Sequence, residues 1–392
     1  MAEPILTDHN IPWTSTIPAN YGKPATLFVR ERNGTKPNQP RRPVLMLHGR
    51  SVPALAGFDL RHGKYSWAEF LADAGHDVFV MDLQGSGRST RPQMDDPRNV
   101  NPAQKHLLTT HPGGVLDPVQ YPHQLDNSQS NWEEVHKVVT FIQGLTGASK
   151  VDLIGWSAAA QQLGPYAIQH KENVKSLLLL APIFPPNGRQ SKPGTRWDPP
   201  VPLPQSTPAA LFGFPMTLTG KSGLESSWDK DVKCHKQRED GIVDVVWKAI
   251  MENDPIGAKW GHEVEGMPGV PGGLARVKNP YWWGWNSTTV PLDGTLGSDV
   301  PVLIIYGEHD SVVNTSPDLG LLYFSVPALY KAVPGGQKLM FRIACAGHQI
   351  VWERQAKVVH NMSKQWLKNG TVEDLAKGSY FLDEDGVVTS TE

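Results

Sequence analysis

The 392-residue sequence predicts an α/β fold: a mostly parallel central sheet of about eight strands, helices on both faces, and an inserted lid. Three observations lead there. Short, nearly unbroken apolar runs such as Val44 to Leu47, Val151 to Ile154 and Ser176 to Pro182 alternate with segments of helical spacing, and unbroken apolar strands are those buried on both faces of a parallel sheet. One of these strands runs through Gly155-Trp156-Ser157 straight into a helical segment, a junction that open α/β sheets place at their ligand-binding edge. The alternation is then broken from Phe184 to Val300 by a proline-rich stretch holding seven of the thirteen tryptophans.

Taken in order, a polar lead-in precedes strands at Ala25 to Arg30 and Val44 to Leu47, which are short, apolar and bounded by Gly, Pro and charged residues. Trp67, Phe70 and Leu71 give Tyr65 to Ala74 helical spacing, Val78 to Leu83 is a strand, and Trp132 to Leu145 is a helix. Strand Val151 to Ile154, helix Ala158 to His170 and strand Ser176 to Pro182 follow, and the series closes with strands Val302 to Tyr306 and Leu339 to Ile343 and a helix from Val351 to Lys368. Arg91 to Ser130 has no periodicity and is too long for an ordinary connection, which suggests a loop near a pocket mouth. At ~150 residues per domain there is room for one large domain with an insertion. Residues 1–183 and 301–392 form the expected core and 184–300 the lid, with one helix at Gly241 to Glu252. Most lid tryptophans are expected to build the lid's own core, since a small domain needs large aromatics to bury enough surface.

Composition excludes several classes of function. Thirty-seven basic residues against 39 acidic ones leave a formal charge of −2, and no basic cluster suits a nucleic-acid partner. No apolar run approaches the ~20 residues of a membrane helix, and the polar start MAEPILTDHN has no signal-peptide core; the expectation is a soluble, cytoplasmic chain. Cys234 and Cys345 are too few for a disulfide scaffold, and Cys345 reads as a small buried filler at a strand end. Neither cysteines nor histidines show zinc spacing, and His106, His111 and His123 fall in a polar loop, so no metal and no cofactor is expected.

The chemistry concentrates at strand ends. Val151 to Ala160 has the layout of a nucleophile elbow, a sharp turn that lifts Ser157 Oγ above the sheet at a helix N-terminus. Ala159 replaces the usual second glycine of G-x-S-x-G, which asks for more room behind the turn but removes no catalytic atom. His48-Gly49-Arg50-Ser51 follows the strand ending at Leu47, where a loop amide can join that of Ala158 in holding an oxyanion. Arg50 is the expected donor and Ser51 the runner-up, while His48 is expected to brace the loop. A base must come from elsewhere, held by a carboxylate. His348, just past the last core strand, and Asp310, just past the preceding one, fill these roles, with Glu308 the competitor for the acid. The order Ser157, Asp310, His348 is one of the three known chain orders of this triad.

These residues resemble those of the α/β-hydrolase superfamily, in its serine-nucleophile, lidded form: His48-Gly49, the Asp82-to-Ser89 turn, the Ser157 elbow, Asp310 and His348, spread over Ala25 to Lys368. The resemblance implies that Asp82 and Arg88 anchor a structural turn. Relatives that open epoxides or remove halogens carry an aspartate nucleophile, so Ser157 speaks against both activities. The implied activity is hydrolysis of an ester or lactone of a bulky apolar or aromatic small molecule through an acyl-enzyme, in keeping with a tryptophan-rich lid. Ser51, Trp156, Phe184, Trp247 and Trp283 are the candidates for the pocket wall. The same triad can serve C–C cleavage, acyl transfer or ring-forming condensation, a ligand receptor is the reading from another class, and a homo-oligomer stays open.

Overall fold

In the computed structural model, residues 5–50, 52–108, 124–191, 195–198, 215–279 and 281–391 are described. Strand β1 (Ile5–Thr14) pairs along its whole length with β2 (Pro24–Asn33), and β2 pairs antiparallel with β4 (Asp77–Met81). From β4 the sheet continues in parallel through β3 (Pro43–Leu47), β5 (Val151–Trp156) and β6 (Val174–Leu180). Beyond β6 come β9 (Val302–Gly307), β10 (Lys338–Ile343), β11 (Gly378–Leu382) and a short antiparallel β12 (Val388–Ser390). The sheet therefore has ten strands rather than about eight. Beyond the seven strands read individually from the sequence are β1, β11 and β12, at or next to the edges, where exposed residues dilute the apolar signal: β1 buries one residue in ten.

Alternation along each central strand sends side chains to opposite faces. Val44, Met46, Ile154, Leu178 and Ile305 face helices α1 (Ala54–Phe58), α2 (Trp67–Asp73) and α8 (Ala356–Asn369), whereas Leu45, Leu47, Leu153, Leu179 and Ile304 face α3 (Ser128–Thr146), α4 (Ala160–Gln169) and α7 (Val326–Ala332). Local chemistry sets the helix ends. Ser66 Oγ accepts the Glu69 N–H at the start of α2. Asn127 and Ser130 cap α3 reciprocally, and Gly147, at φ 72°, ends it in the left-handed region that glycine tolerates. The helix expected from Val351 starts at Ala356, after a 3₁₀ turn at Ile350–Trp352, because the Glu353 carboxylate folds back to accept the Gly347 N–H at 2.8 Å.

Between β6 and β9 lie β7 (Met216–Thr219), α5 (Lys221–Asp229), α6 (Ile242–Glu252) and β8 (Ala275–Lys278), with β7 and β8 pairing as a separate two-stranded sheet. The tryptophans of this stretch do not gather into one core. Trp228 and Trp247 join the apolar layer of α1, α2 and α8; Trp285 joins that of α3 and α4, lying over Gly164 where a Cβ would be 2.2 Å from its ring. Trp283 packs with Trp132 and Tyr281.

The two cysteines depart from the sequence reading. Cys345 is no isolated filler: it is bridged to Cys234, with Cα atoms 5.6 Å apart across a separation of 111 residues, a spacing ordinary for disulfides. Composition could not foretell this, because the pair depends on the chain between β6 and β9 returning beside the end of β10. The bridge predicts that the folded protein has no alkylatable thiol before reduction, and that reduction lowers stability by about 2–4 kcal/mol; mass spectrometry after alkylation and thermal melts with and without reductant check both.

Candidate active site

Four loops at the C-terminal ends of parallel strands converge on Ser157. The serine follows β5 at φ 58°, a left-handed conformation that a non-glycine residue holds only where its surroundings impose it. Gly155 makes the turn possible, since a Cβ there would meet Leu163 Cδ1 at 2.8 Å and Ala159 Cβ at 3.1 Å. The same contact explains how Ala159 replaces the usual glycine: its methyl group occupies the space that Gly155 leaves open.

The Ser157 Oγ lies 2.9 Å from His348 Nε2, and His348 Nδ1 lies 3.0 and 3.1 Å from the two oxygens of Asp310. Asp310 is buried, and its Oδ1 also accepts the backbone N–H groups of Val312 and Val313 at 3.0 and 3.1 Å. Glu308, the competing acid, points away and accepts the Cys345 N–H at 3.3 Å. Burial by itself would lower the pKa of His348, but the charge and hydrogen bond of Asp310, with Asp231 and Glu353 behind it, outweigh burial and raise it above its ordinary value.

Gly49 carries the loop after β3 close to the nucleophile: a Cβ there would be 3.3 Å from Ser157 Cβ. His48 braces this loop, its Nδ1 against the Gly49 carbonyl at 2.6 Å and its Nε2 accepting the Leu83 N–H at 3.3 Å. Burial lowers its pKa, in keeping with a neutral ring bonded through both nitrogens. Asp82 anchors the following turn by accepting the Ala54 and Arg88 N–H groups at 2.8 and 3.0 Å, and Arg88 reaches Asn253 Oδ1 at 2.8 Å.

A cavity of about 680 Å³ opens over Ser157 and His348, within the usual range for small-molecule sites. Gly49, Arg50, Trp156 and Ala158 belong to its wall. Trp156 also packs beneath the elbow, donating from Nε1 to the His348 carbonyl at 3.2 Å. Three of the expected wall residues are elsewhere. Phe184 is fully buried against Trp285, Trp247 is held in the core with Nε1 bonded to the Gly272 carbonyl at 2.9 Å, and Trp283 meets Trp132 edge to face; each is anchored by packing that turns it from the cavity. Ser51 lies outside the described residues. The wall instead uses Trp282 and Trp352, Thr217 and Thr219 of β7, Leu224 of α5, and Leu319, Leu322 and Phe324 from the loop after β9.

The sequence reading missed two buried acids behind the histidine. Asp231, from the stretch between β6 and β9, accepts the His348 N–H at 3.0 Å through Oδ2 and the Ser311 N–H and O–H through Oδ1 at 3.2 and 2.6 Å. It thereby ties together the loops that carry His348 and Asp310. Glu353 accepts the Gly347, Gln237 and Trp228 N–H groups, yet burial, with Asp231 nearby, pushes it up to about 7. Gly347 fits between them: a Cβ there would lie 2.5 Å from Asp231 Cβ and 3.0 Å from Glu353 Oε1. No local motif signals Asp231, which is 117 residues from its partner. The sulfurs of Cys234 and Cys345 and His309 Nε2 lie within 4.8 Å of one another, a possible ligand cluster were the two sulfurs not bonded to each other.

The sheet and its converging loops define an α/β hydrolase, and comparison with known proteins agrees. The model of the alpha/beta hydrolase fold family matches residues 42–355, and the chain belongs to that family. No curated protein matches it by sequence. Among solved structures it is similar to a serine hydrolase from the polyaromatic-hydrocarbon-degrading bacterium Cycloclasticus zankles, at 14% identity and TM-score 0.51, over 94% of this chain and 100% of that one. A thermophilic esterase from Thermogutta terrifontis is 17% identical over 92% and 98% of the two chains, with TM-score 0.49. A 2-hydroxy-6-oxo-6-phenylhexa-2,4-dienoate hydrolase from a Rhodococcus species is 13% identical over 92% and 99%, with TM-score 0.46. At 14% identity the likeness to the Cycloclasticus protein is one of fold. Among the described residues no helix is long and apolar enough to cross a membrane.

The charges facing His348 yield a prediction. Asp231→Asn removes one negative charge and should lower the pKa of the imidazole, and Asp310→Asn, which removes the nearest charge, should lower it further. NMR titration of ring-labelled histidine in the wild type and both variants reads this directly.

Proposed function

We propose that this chain is a serine hydrolase that cleaves an ester or lactone of a bulky, apolar or aromatic small molecule through an acyl-enzyme on Ser157. The observation that carries the reading is the unbroken chain of contacts from Asp310 through His348 to Ser157 Oγ, opening into a cavity large enough for such a molecule. Residues 184–300 act in this reading as the lid, contributing Thr217, Leu224 and Trp282 to the wall.

The steps follow from the residue types. Neutral His348 takes the Ser157 proton while Oγ attacks the substrate carbonyl, and Asp310 holds the imidazolium that forms. The backbone N–H groups of Arg50 and Ala158 are assigned to the oxyanion, a role in which each donor contributes roughly 2.7–4 kcal/mol to the transition state. Collapse expels the alkoxide, which takes the proton from His348; for a lactone it stays attached as a hydroxyl on the acyl chain. Water, deprotonated by the same histidine, then attacks the acyl-enzyme, releasing the acid and restoring Ser157. Because the base must be neutral, the raised pKa of His348 places the acid limb of kcat/KM above the ordinary histidine value, with activity rising as pH climbs through it.

A fluorophosphonate probe should label the wild type on Ser157, leave Ser157→Ala unlabelled, and react on the order of 10⁴-fold more slowly with Asp310→Asn and more slowly still with His348→Ala, with peptide mass spectrometry locating the adduct. A folded wild-type protein that takes up no probe would overturn the reading.

A further inference from the structure

The cavity wall carries one permanent charge. Among the described residues that line it there is no aspartate, glutamate or lysine; the single guanidinium is that of Arg50, and the remaining polar groups are neutral amides, hydroxyls and His348. Arg50 is exposed, and the protein atoms gathered around its guanidinium lower its pKa. Its described hydrogen-bond partner is the neutral Asn279 Oδ1. The acids that flank this region are already matched elsewhere: Asp254 accepts two bonds from Arg276 at 2.6 and 2.9 Å, and Asp126 lies 3.0 Å from Lys278 Nζ. A guanidinium whose described partner is a neutral amide offers a fork of donors suited to a carboxylate.

We propose that Arg50 is a substrate-binding residue that takes a carboxylate on the substrate, so that the molecules cleaved are monoanionic esters or lactones bearing that group close to the scissile carbonyl. The inference rests on the hydrolase reading for its chemistry but on its own observation for the charge. Position limits where the carboxylate sits: Arg50 follows Gly49, whose backbone borders Ser157, so the carboxylate is held on the side of the cavity formed by the loop after β3. A single cation matches a single negative charge, which favours a carboxylate over a phosphate dianion.

The test compares p-nitrophenyl monoesters of succinate, glutarate and adipate with the neutral p-nitrophenyl butyrate and valerate. In the wild type the best carboxylate-bearing ester should exceed the neutral ones at least tenfold in kcat/KM, and Arg50→Met should bring that ratio to one or below. Arg50→Lys should keep part of it. Because the readout is a ratio within each variant, a general loss of activity cancels. Arg50→Gln, which keeps a donor for Asn279, replaces Arg50→Met if the latter does not fold. A wild-type ratio near one, or a ratio unchanged in Arg50→Met, would overturn the proposal while leaving the hydrolase reading intact. If no ester is turned over, calorimetric titration of Ser157→Ala with glutarate and with neutral glutaramide decides: binding of glutarate alone, lost on adding Arg50→Met, supports the anion site, and equal or absent binding sinks it.

Discussion

Ser157 sits in a backbone conformation that its residue type disfavours, and most of the site can be understood as what holds it there. The positive φ follows from ending β5 and starting α4 with almost no connecting chain. Such a turn persists only when the surrounding structure over-determines it. Here β5 is clamped between β3 and β6 in the middle of the sheet, Gly155 leaves space for Ala159 and Leu163, and the Ile183 N–H donates to the Ser157 carbonyl at 3.1 Å. The strain is local, whereas its support extends over three strands and a helix.

A second constraint is electrostatic. His348, itself buried, must gain a positive charge during the proposed reaction, and three acids share the tasks of holding that charge and fixing the loops. The work is divided: Asp310 faces the ring, Asp231 fixes the backbone that carries it, and Glu353 holds the turn at Gly347. Burial, with a smaller contribution from the Asp231 charge, raises the pKa of Glu353 to about 7. The Cys234–Cys345 bridge ties together the chain beside Asp231 and the chain before His348, so the stretch between β6 and β9 is joined covalently to the end of β10 next to this acid arrangement.

What could be read from the sequence was whatever a short run of residues encodes by itself. The central strands announced themselves because they are buried on both faces, and the elbow because strand, glycine, serine and helix are contiguous. The edge strands β1 and β12 escaped because half-exposed strands lose that signal. Asp231, the disulfide and the wall residues Trp282 and Trp352 escaped for another reason: each depends on where a long connection returns, and spacing along the chain carries no information about that. Large aromatics misled most. Phe184, Trp247 and Trp283 looked like pocket residues because they are rare and bulky, but bulk is what cores also need, and each is buried in packing away from the cavity.

The same reasoning gives Arg50 a use for both its ends. The backbone N–H is assigned to the oxyanion, and the guanidinium stands in a wall without fixed negative charge. An anionic substrate approaching Ser157 would be opposed by the negative charge that develops on its own carbonyl oxygen, since two like charges separated by a short spacer repel strongly where the effective dielectric is low. A cation set against the first charge offsets that repulsion before the second appears. The acids behind His348 do the converse for the imidazolium. The cavity thus has a cation in its wall at Arg50 and acids behind His348, the two kinds of charge on which the proposed reaction draws.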